Sequence, residues 1–299
     1  MPNKPLLFAL LLAIAGAAAP NVVVAAAPPI PAVILKVLTG DVIVQPDGSY
    51  TMISHGEMLA TNESAAHGIA QHRVEYSESM ETAEILEAFT RKADGKILEV
   101  DRTQIFPQAP PGSSQVPMFN DRKQKVIVFP DVSAEDTVVY TIKQTRRAPF
   151  AGQFFFGGVF LRGVAFEDVR MNITLPITMA AHVDVRRVEH HVEEAGESSI
   201  THKFLYRNPR PPVAEPAALS PWDTEPYYII STFPNYPAIT AAYRQMAAGK
   251  AAVTSRIQEL ADEITTGTSD RREQAHRIYD WVSKHIRYRS HLRAWPEMN

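Results

Sequence analysis

Residues 42–52, Val-Ile-Val-Gln-Pro-Asp-Gly-Ser-Tyr-Thr-Met, decide the fold class. A β-branched run, Val42-Ile43-Val44, enters Pro46-Asp47-Gly48, and Tyr50-Thr51-Met52 leaves it. Glycine takes the positive φ of a tight turn, proline removes a ladder donor, and β-branched and aromatic residues suit the pleated surface on either side. The stretch reads as a β-hairpin. Asp94-Gly95 repeats the pattern between Phe89-Thr90-Arg91 and Ile97-Leu98-Glu99. Further strands are predicted over Lys125–Phe129, Thr137–Gln144, Glu167–Leu175, His182–Val192 and Ser199–Tyr206, the last two joined across Glu194-Ala195-Gly196. About ten short strands with no helical crossover between them predict a mainly β fold, an antiparallel β-sandwich, over residues 32–206.

Beyond it, residues 207–223 are rich in proline, which removes backbone donors and keeps a chain extended, so this segment reads as a linker or strap. The period then changes. Val253, Ile257, Leu260, Ala261 and Ile264 form one apolar stripe at helical spacing, and Ala275, Ile278, Tyr279, Val282 and Ile286 form another. Asp270, with Glu273 three residues on, opens the second helix in the manner of a capping box, and Gly267 suits the end of the first.

Composition narrows the chemistry. The 299 residues carry 30 Lys+Arg, 33 Asp+Glu and no cysteine, for a formal net charge of −3. No basic excess favours nucleic acid or an anionic membrane surface. Without cysteine this chain holds no thiol nucleophile, disulfide, iron–sulfur cluster or cysteine-ligated zinc.

At the N-terminus, Lys4 precedes an apolar run from Leu6 to Ala19, and Val24-Ala25-Ala26-Ala27 leads into Pro28-Pro29. Charged start, short apolar run and small-residue cleavage zone are the parts of a secretory signal, predicted over residues 1–26 with cleavage after Ala26. The run is shorter than the roughly 20 residues of a membrane-spanning helix, so no stable membrane span is expected after cleavage. Export to the periplasm or envelope of a bacterium is the expected localisation.

Several stretches together resemble a known arrangement. Val42–Gly48, Asp121–Asp131 (DRKQKVIVFPD) and Val138–Lys143 (VVYTIK) are similar to the bacterial domain of unknown function that precedes transglutaminase-like domains in exported proteins. Ile230–Tyr243 looks like the junction that follows it, with Asn235-Tyr236 where a tryptophan is common. Arg277–Tyr288 (RIYDWVSKHIRY) resembles the opening helix of the transglutaminase-like domain through Tyr279, Trp281, Ile286 and Tyr288. The resemblance implies that residues 224–299 are the start of a papain-like α+β domain. In that family a Cys-His-Asp set acts on peptide or amide bonds, with the Cys at a helix N-terminus where its thiolate is favoured. The sequence stops at Asn299 before any of the three, so the resemblance implies a domain cut short by a frameshift, a premature stop or a partial gene model. No residue inherits a catalytic role.

Other candidates have plainer explanations. His182, His190, His191 and His202 fall in one predicted hairpin, where His182 and His190 share a face with His202 opposite, yet no compact ligand spacing is present and a solvated hairpin suffices. Phe150, Phe154, Phe155, Phe156 and Phe160 among glycines suit either a partner surface or a core or lid. Trp281 and Tyr288 suit packing or the lining of a substrate cleft. Asp223 and Glu225 beside Trp222 lack the defined separation a glycosidase needs. No phosphate loop, nucleophile elbow or HExxH helix is present. No catalytic, metal or cofactor-binding residue is therefore assigned, and no cofactor is expected. The expected function is a non-catalytic exported accessory domain of a transglutaminase-like envelope protein. The alternatives are an incomplete piece of a cysteine-dependent transglutaminase or protease-like enzyme, and an envelope module that binds a protein, a glycan or peptidoglycan.

Overall fold

The computed structural model describes residues 30–109, 121–212, 221–250 and 252–286. In chain order the elements are β1 (Val33–Val44), β2 (Tyr50–Ala60), α1 (Glu63–Ile69), β3 (Gln71–Ser77), β4 (Glu81–Arg91), β5 (Ile97–Glu99), β6 (Ile105–Gln108), β7 (Arg122–Val128), β8 (Thr137–Arg146) and β9 (Phe155–Val159). There follow β10 (Ala165–Pro176), β11 (His182–Arg186), β12 (Glu189–Glu194), β13 (Ser199–Asn208), α2 (Pro221–Thr224), β14 (Tyr227–Ser231), α3 (Tyr236–Ala248), α4 (Ser255–Thr265) and α5 (Arg271–His285).

One eight-stranded sheet, ordered β12-β13-β10-β1-β2-β8-β4-β5, is the backbone of the molecule. All its pairs are antiparallel except β1 with β10, which run parallel with Val42 opposite Ile173. Two three-stranded sheets, β11-β14-β9 and β3-β7-β6, complete the β architecture. Alternation along the strands sends Val42, Val44, Ile173, Leu175 and Phe204 into a core shared with Tyr228 and Ile230 of β14. Ala83, Val138, Tyr140 and Ile142 enter a second core with Ala65, Ala66 and Ile69 of α1 and Val74 and Ile127. The fold is mainly β, with helices at its C-terminal end, as its turn and strand pattern predicts.

Three local features differ from the sequence reading, the first being the short helix α1 between β2 and β3, within the stretch read as strands alone. The predicted strand His182–Val192 divides at Arg187, whose φ is 54°, so β11 and β12 enter different sheets. Tyr227–Ser231, which lies beyond the proline-rich segment, is the middle strand between β11 and β9, with Tyr228 and Ile230 buried. Burial alternates along this continuous Tyr-Tyr-Ile-Ile run, as a strand requires. Residues 207–212 and 221–223 of the segment are described; nothing of 213–220 is.

The helices start where their caps predict. Asp270 accepts from the Arg272 N–H at 3.0 Å, and Gly267, at φ 83°, follows the last turn of α4. Thr254 and Asn235 cap α4 and α3 through the N–H groups of Ile257 and Ala238. No residue of α3, α4 or α5 is buried.

Candidate functional site

The Pro-Asp-Gly turn builds one wall of an open cleft. Asp47 Oδ1 accepts from the Ser49 hydroxyl at 2.6 Å and from its N–H at 2.9 Å, bonds that hold the carboxyl below its usual range. Gly48 sits at φ +86°, and a Cβ there would meet the Gln153 carbonyl oxygen at 2.2 Å. Only glycine fits. The Gly152 N–H donates to the Asp47 carbonyl at 2.8 Å, which locks the turn onto the loop before β9.

The opposite wall is the β3–β4 turn with the end of β8. The Arg147 N–H donates to the Met80 carbonyl at 2.9 Å, and its guanidinium reaches the Ser79 carbonyl. Asp121 accepts from the hydroxyls of Ser77, at 2.7 Å, and Ser79. Burial works against its charge, but these bonds with the Ser79 N–H outweigh it and hold the carboxyl low. Arg146 pairs with Glu81 at 3.3 Å. Tyr50 packs edge-on against Phe154 and Phe156, each at 5.7 Å, and burial raises its hydroxyl pKa, partly offset by Arg146. The cleft between the walls encloses about 350 Å³. Two arginines, Arg146 and Arg147, face two carboxylates, Glu78 and Glu81, so its lining has no net charge. Both of its serine hydroxyls donate to carboxylates, Asp47 and Asp121, that are held low and are therefore weak bases.

The histidines separate. His182 lies on β11, and His190 meets His202 across the β12–β13 pair, with Nε2 and Nδ1 3.1 Å apart and ring planes 3° from parallel. At a centroid separation of 5.3 Å this is an edge-to-edge hydrogen bond with one proton between the rings, rather than two lone pairs converging on a metal. His190 also stacks on Phe204. Burial lowers the pKa of both rings, with a smaller contribution from the neighbouring histidine. Among the described residues no three His, Asp or Glu side chains group to hold a metal.

The phenylalanine run packs inward in part. Phe154 and Phe160 are buried, and Phe160 stacks on Tyr206 at 4.6 Å. Glu225 accepts from the Arg162 N–H at 2.5 Å and pairs with its side chain at 3.4 Å, a structural role beside Asp223. Trp281, half-buried, stacks on His285 at 4.7 Å within α5. Ala26 and Tyr288 lie outside the described residues. The sequence reading missed the cleft, although the adjacent Arg146-Arg147 at a strand end, together with the glycine turn, marks where its walls meet.

A family described as "Domain of Unknown Function with solved-structure structure (DUF3857)" matches residues 46–212. In fold the chain is similar to "a putative protease from Parabacteroides distasonis", with a TM-score of 0.71 and 16% identity, covering 85% of this chain and 50% of that one. The chain thus spans half the length of that protein. An M1 zinc metallopeptidase from Deinococcus radiodurans aligns at a TM-score of 0.36 and 11% identity over 67% of this chain and 42% of its own, a likeness too low to carry an argument. No curated protein matches.

Proposed function

The chain belongs to the DUF3857 family, and on that premise we propose that it is the β accessory part of an exported envelope protein that works with a transglutaminase-like catalytic domain. The contrast between its two parts carries this reading. The β strands enclose two packed cores, whereas α3, α4 and α5 leave apolar residues uncovered: Tyr243, Ile257, Ile278, Val282 and Ile286 are all exposed. Amphipathic helices of this length draw most of their stability from tertiary burial, so such stripes suit a surface that another domain covers. Arg277–Tyr288, with its likeness to the first helix of a transglutaminase-like domain, supports the same assignment.

Chemistry on an amide would belong to a cysteine outside these residues, because the chain has none. A structural likeness that takes up half of a protein described as a protease is consistent with that division of labour. Residues 1–26 support export. Among the described residues no helix is long and apolar enough to cross a membrane.

Limited proteolysis of the full chain tests the arrangement. A resistant core from about Val33 through Phe233, with α3–α5 removed, is the expected result. A resistant fragment running intact through Trp281 would refute an uncovered helical face. Amide or peptide turnover abolished by a substitution in this chain would refute the non-catalytic assignment.

A further inference from the structure

The open face of the eight-stranded sheet carries an ordered chemical pattern. Thr82 on β4 is opposite Thr145 on β8, and Thr145 is opposite Thr51 on β2. Thr51 is opposite Ile43 on β1, Ile43 opposite Thr174 on β10, and Thr174 opposite Thr201 on β13. Residues opposite one another share a face, so five threonines and one isoleucine form a single row across six strands. At about 4.8 Å between strands the row is roughly 24 Å long. Their sequence neighbours Val42, Val44, Ile173 and Leu175 point into the core, which puts the row on the solvent side, where Ile43 is 55% exposed.

We propose that this row, together with the cleft into which it runs, is a binding track for a linear, uncharged, hydroxyl-rich glycan. Two observations support that class of ligand. The first is that the hydroxyls pair across strands, Thr82 with Thr145 at 2.5 Å and Thr174 with Thr201 at 2.8 Å. In each pair one oxygen donates to the other, so a ligand meets one free hydroxyl hydrogen together with acceptor lone pairs, the mixture that sugar hydroxyls match. An anion or a cation would use only half of it.

Secondly, the six positions carry no ionised group; Glu193 of β12, opposite Thr201, ends the row and pairs with Lys203 at 2.6 Å, and the next row on the same face holds Asp41, Lys143, Glu84 and Lys203 on β1, β8, β4 and β13. Thr51, Thr82 and Thr145 also line the cleft, whose Arg146 and Glu81 pair with each other at 3.3 Å and whose Arg147 reaches the Ser79 carbonyl. The cleft's charges balance, which again favours a neutral ligand.

Threonine is common on strands for its β-branched shape alone. The unbroken register and the cleft at its end are what that preference does not supply.

This proposal is independent of the export and domain reading above. Calorimetric titration of the full chain with β-1,4-linked tetramers of N-acetylglucosamine and of glucose tests it, with poly-glutamate and poly-lysine as charged comparators. Saturable binding of at least one neutral tetramer is expected, insensitive to salt. The double variant Thr51→Val, Thr145→Val keeps the β-branched shape and removes two hydroxyls from the track. It should weaken binding about tenfold, the effect of losing one to two net hydrogen bonds. Thr268→Val, in the loop between α4 and α5, should leave affinity unchanged. An unaltered urea midpoint in the double variant separates lost recognition from lost folding. Absence of binding by both tetramers, equal affinity in the double variant, or preference for either charged polymer would overturn the assignment.

Discussion

Asp136 closes the loop between β7 and β8, and replacing it by alanine exposes how that loop is held. Its side chain is 2% exposed. Oδ2 accepts from Lys92 Nζ at 2.6 Å and from the Ser133 N–H at 2.8 Å, and Oδ1 accepts from the Ala93 N–H at 3.0 Å. Two non-glycine residues of the loop, Asp131 at φ 45° and Glu135 at φ 67°, occupy the left-handed region, so its conformation depends on such bonds. Removing one partner of a buried ion pair costs about 3–5 kcal/mol when the other charge is stranded. Here Lys92 keeps Asp131, at 3.2 Å, and some solvent, which reduces the penalty, while two N–H donors are left unpaired. We therefore expect about 3 kcal/mol from Asp136→Ala. In urea, with a slope of roughly 1–3 kcal/mol/M, the midpoint should fall by about 1 M or more at unchanged slope. Burial would by itself raise the Asp136 carboxyl; the bonds from Lys92, Ser133 and Ala93 together outweigh it and hold the group low. The folded pKa of the acid is depressed, so its contribution is present above the unfolded value of about 3.9 and fades as pH falls through the lower folded one. Lys92 is raised, chiefly by its bond to Asp136, so its share is present below about 10.4 and is lost as pH climbs through the folded value. A variant within about 0.5 kcal/mol of the parent at pH 7, the range of an ordinary surface change, would refute the claim that this carboxylate secures the loop.

His72 stacks on Tyr140 at 4.1 Å, and burial lowers its pKa to about 4. The unfolded chain therefore takes up this proton first, and stability should fall by about 1–3 kcal/mol between pH 6.5 and 4; His72→Phe should flatten that part of the profile, and an unchanged slope would count against the buried neutral ring. Gly48→Ala should destabilise well beyond the roughly 1–2 kcal/mol of left-handed strain, because a backbone carbonyl blocks its Cβ, whereas Gly95→Ala, at φ +87° in open space, should cost only the strain; equal thermal midpoints for the two would contradict the turn's role as a docking point. The double variant Leu10→Asp, Leu11→Asp should stay in the cytoplasm as precursor, and N-terminal sequencing of the exported parent should begin at Ala27; periplasmic recovery of the double variant would overturn the secretory reading.

What the sequence makes legible and what it conceals follow from the range of the interactions. The hairpin at Pro46-Asp47-Gly48 and the helix caps at Asp270 and Thr254 are local, since turn chemistry and capping act within a few residues and leave their mark in the residue types. The placement of β14 is not local. Tyr227–Ser231 pairs with Phe155–Val159 and His182–Arg186, and nothing within the five residues specifies those partners. The split at Arg187 is hidden for a related reason, because an arginine at positive φ carries no compositional warning of the kind a glycine gives. The threonine row is the extreme case. Its members span positions 43 to 201, and no stretch of sequence brings them together. Each reads alone as an ordinary strand residue, and the row exists only through the parallel pairing of β1 with β10, which aligns the hairpin Val33–Ala60 with the strands that follow Ala165. A one-residue slip in that pairing would turn the β10 and β13 threonines toward the core and bring Ile173 and Leu175 out to solvent. The buried pair Val42–Ile173 therefore fixes the polar face as firmly as it fixes the core, which makes the open row a direct consequence of how the interior packs.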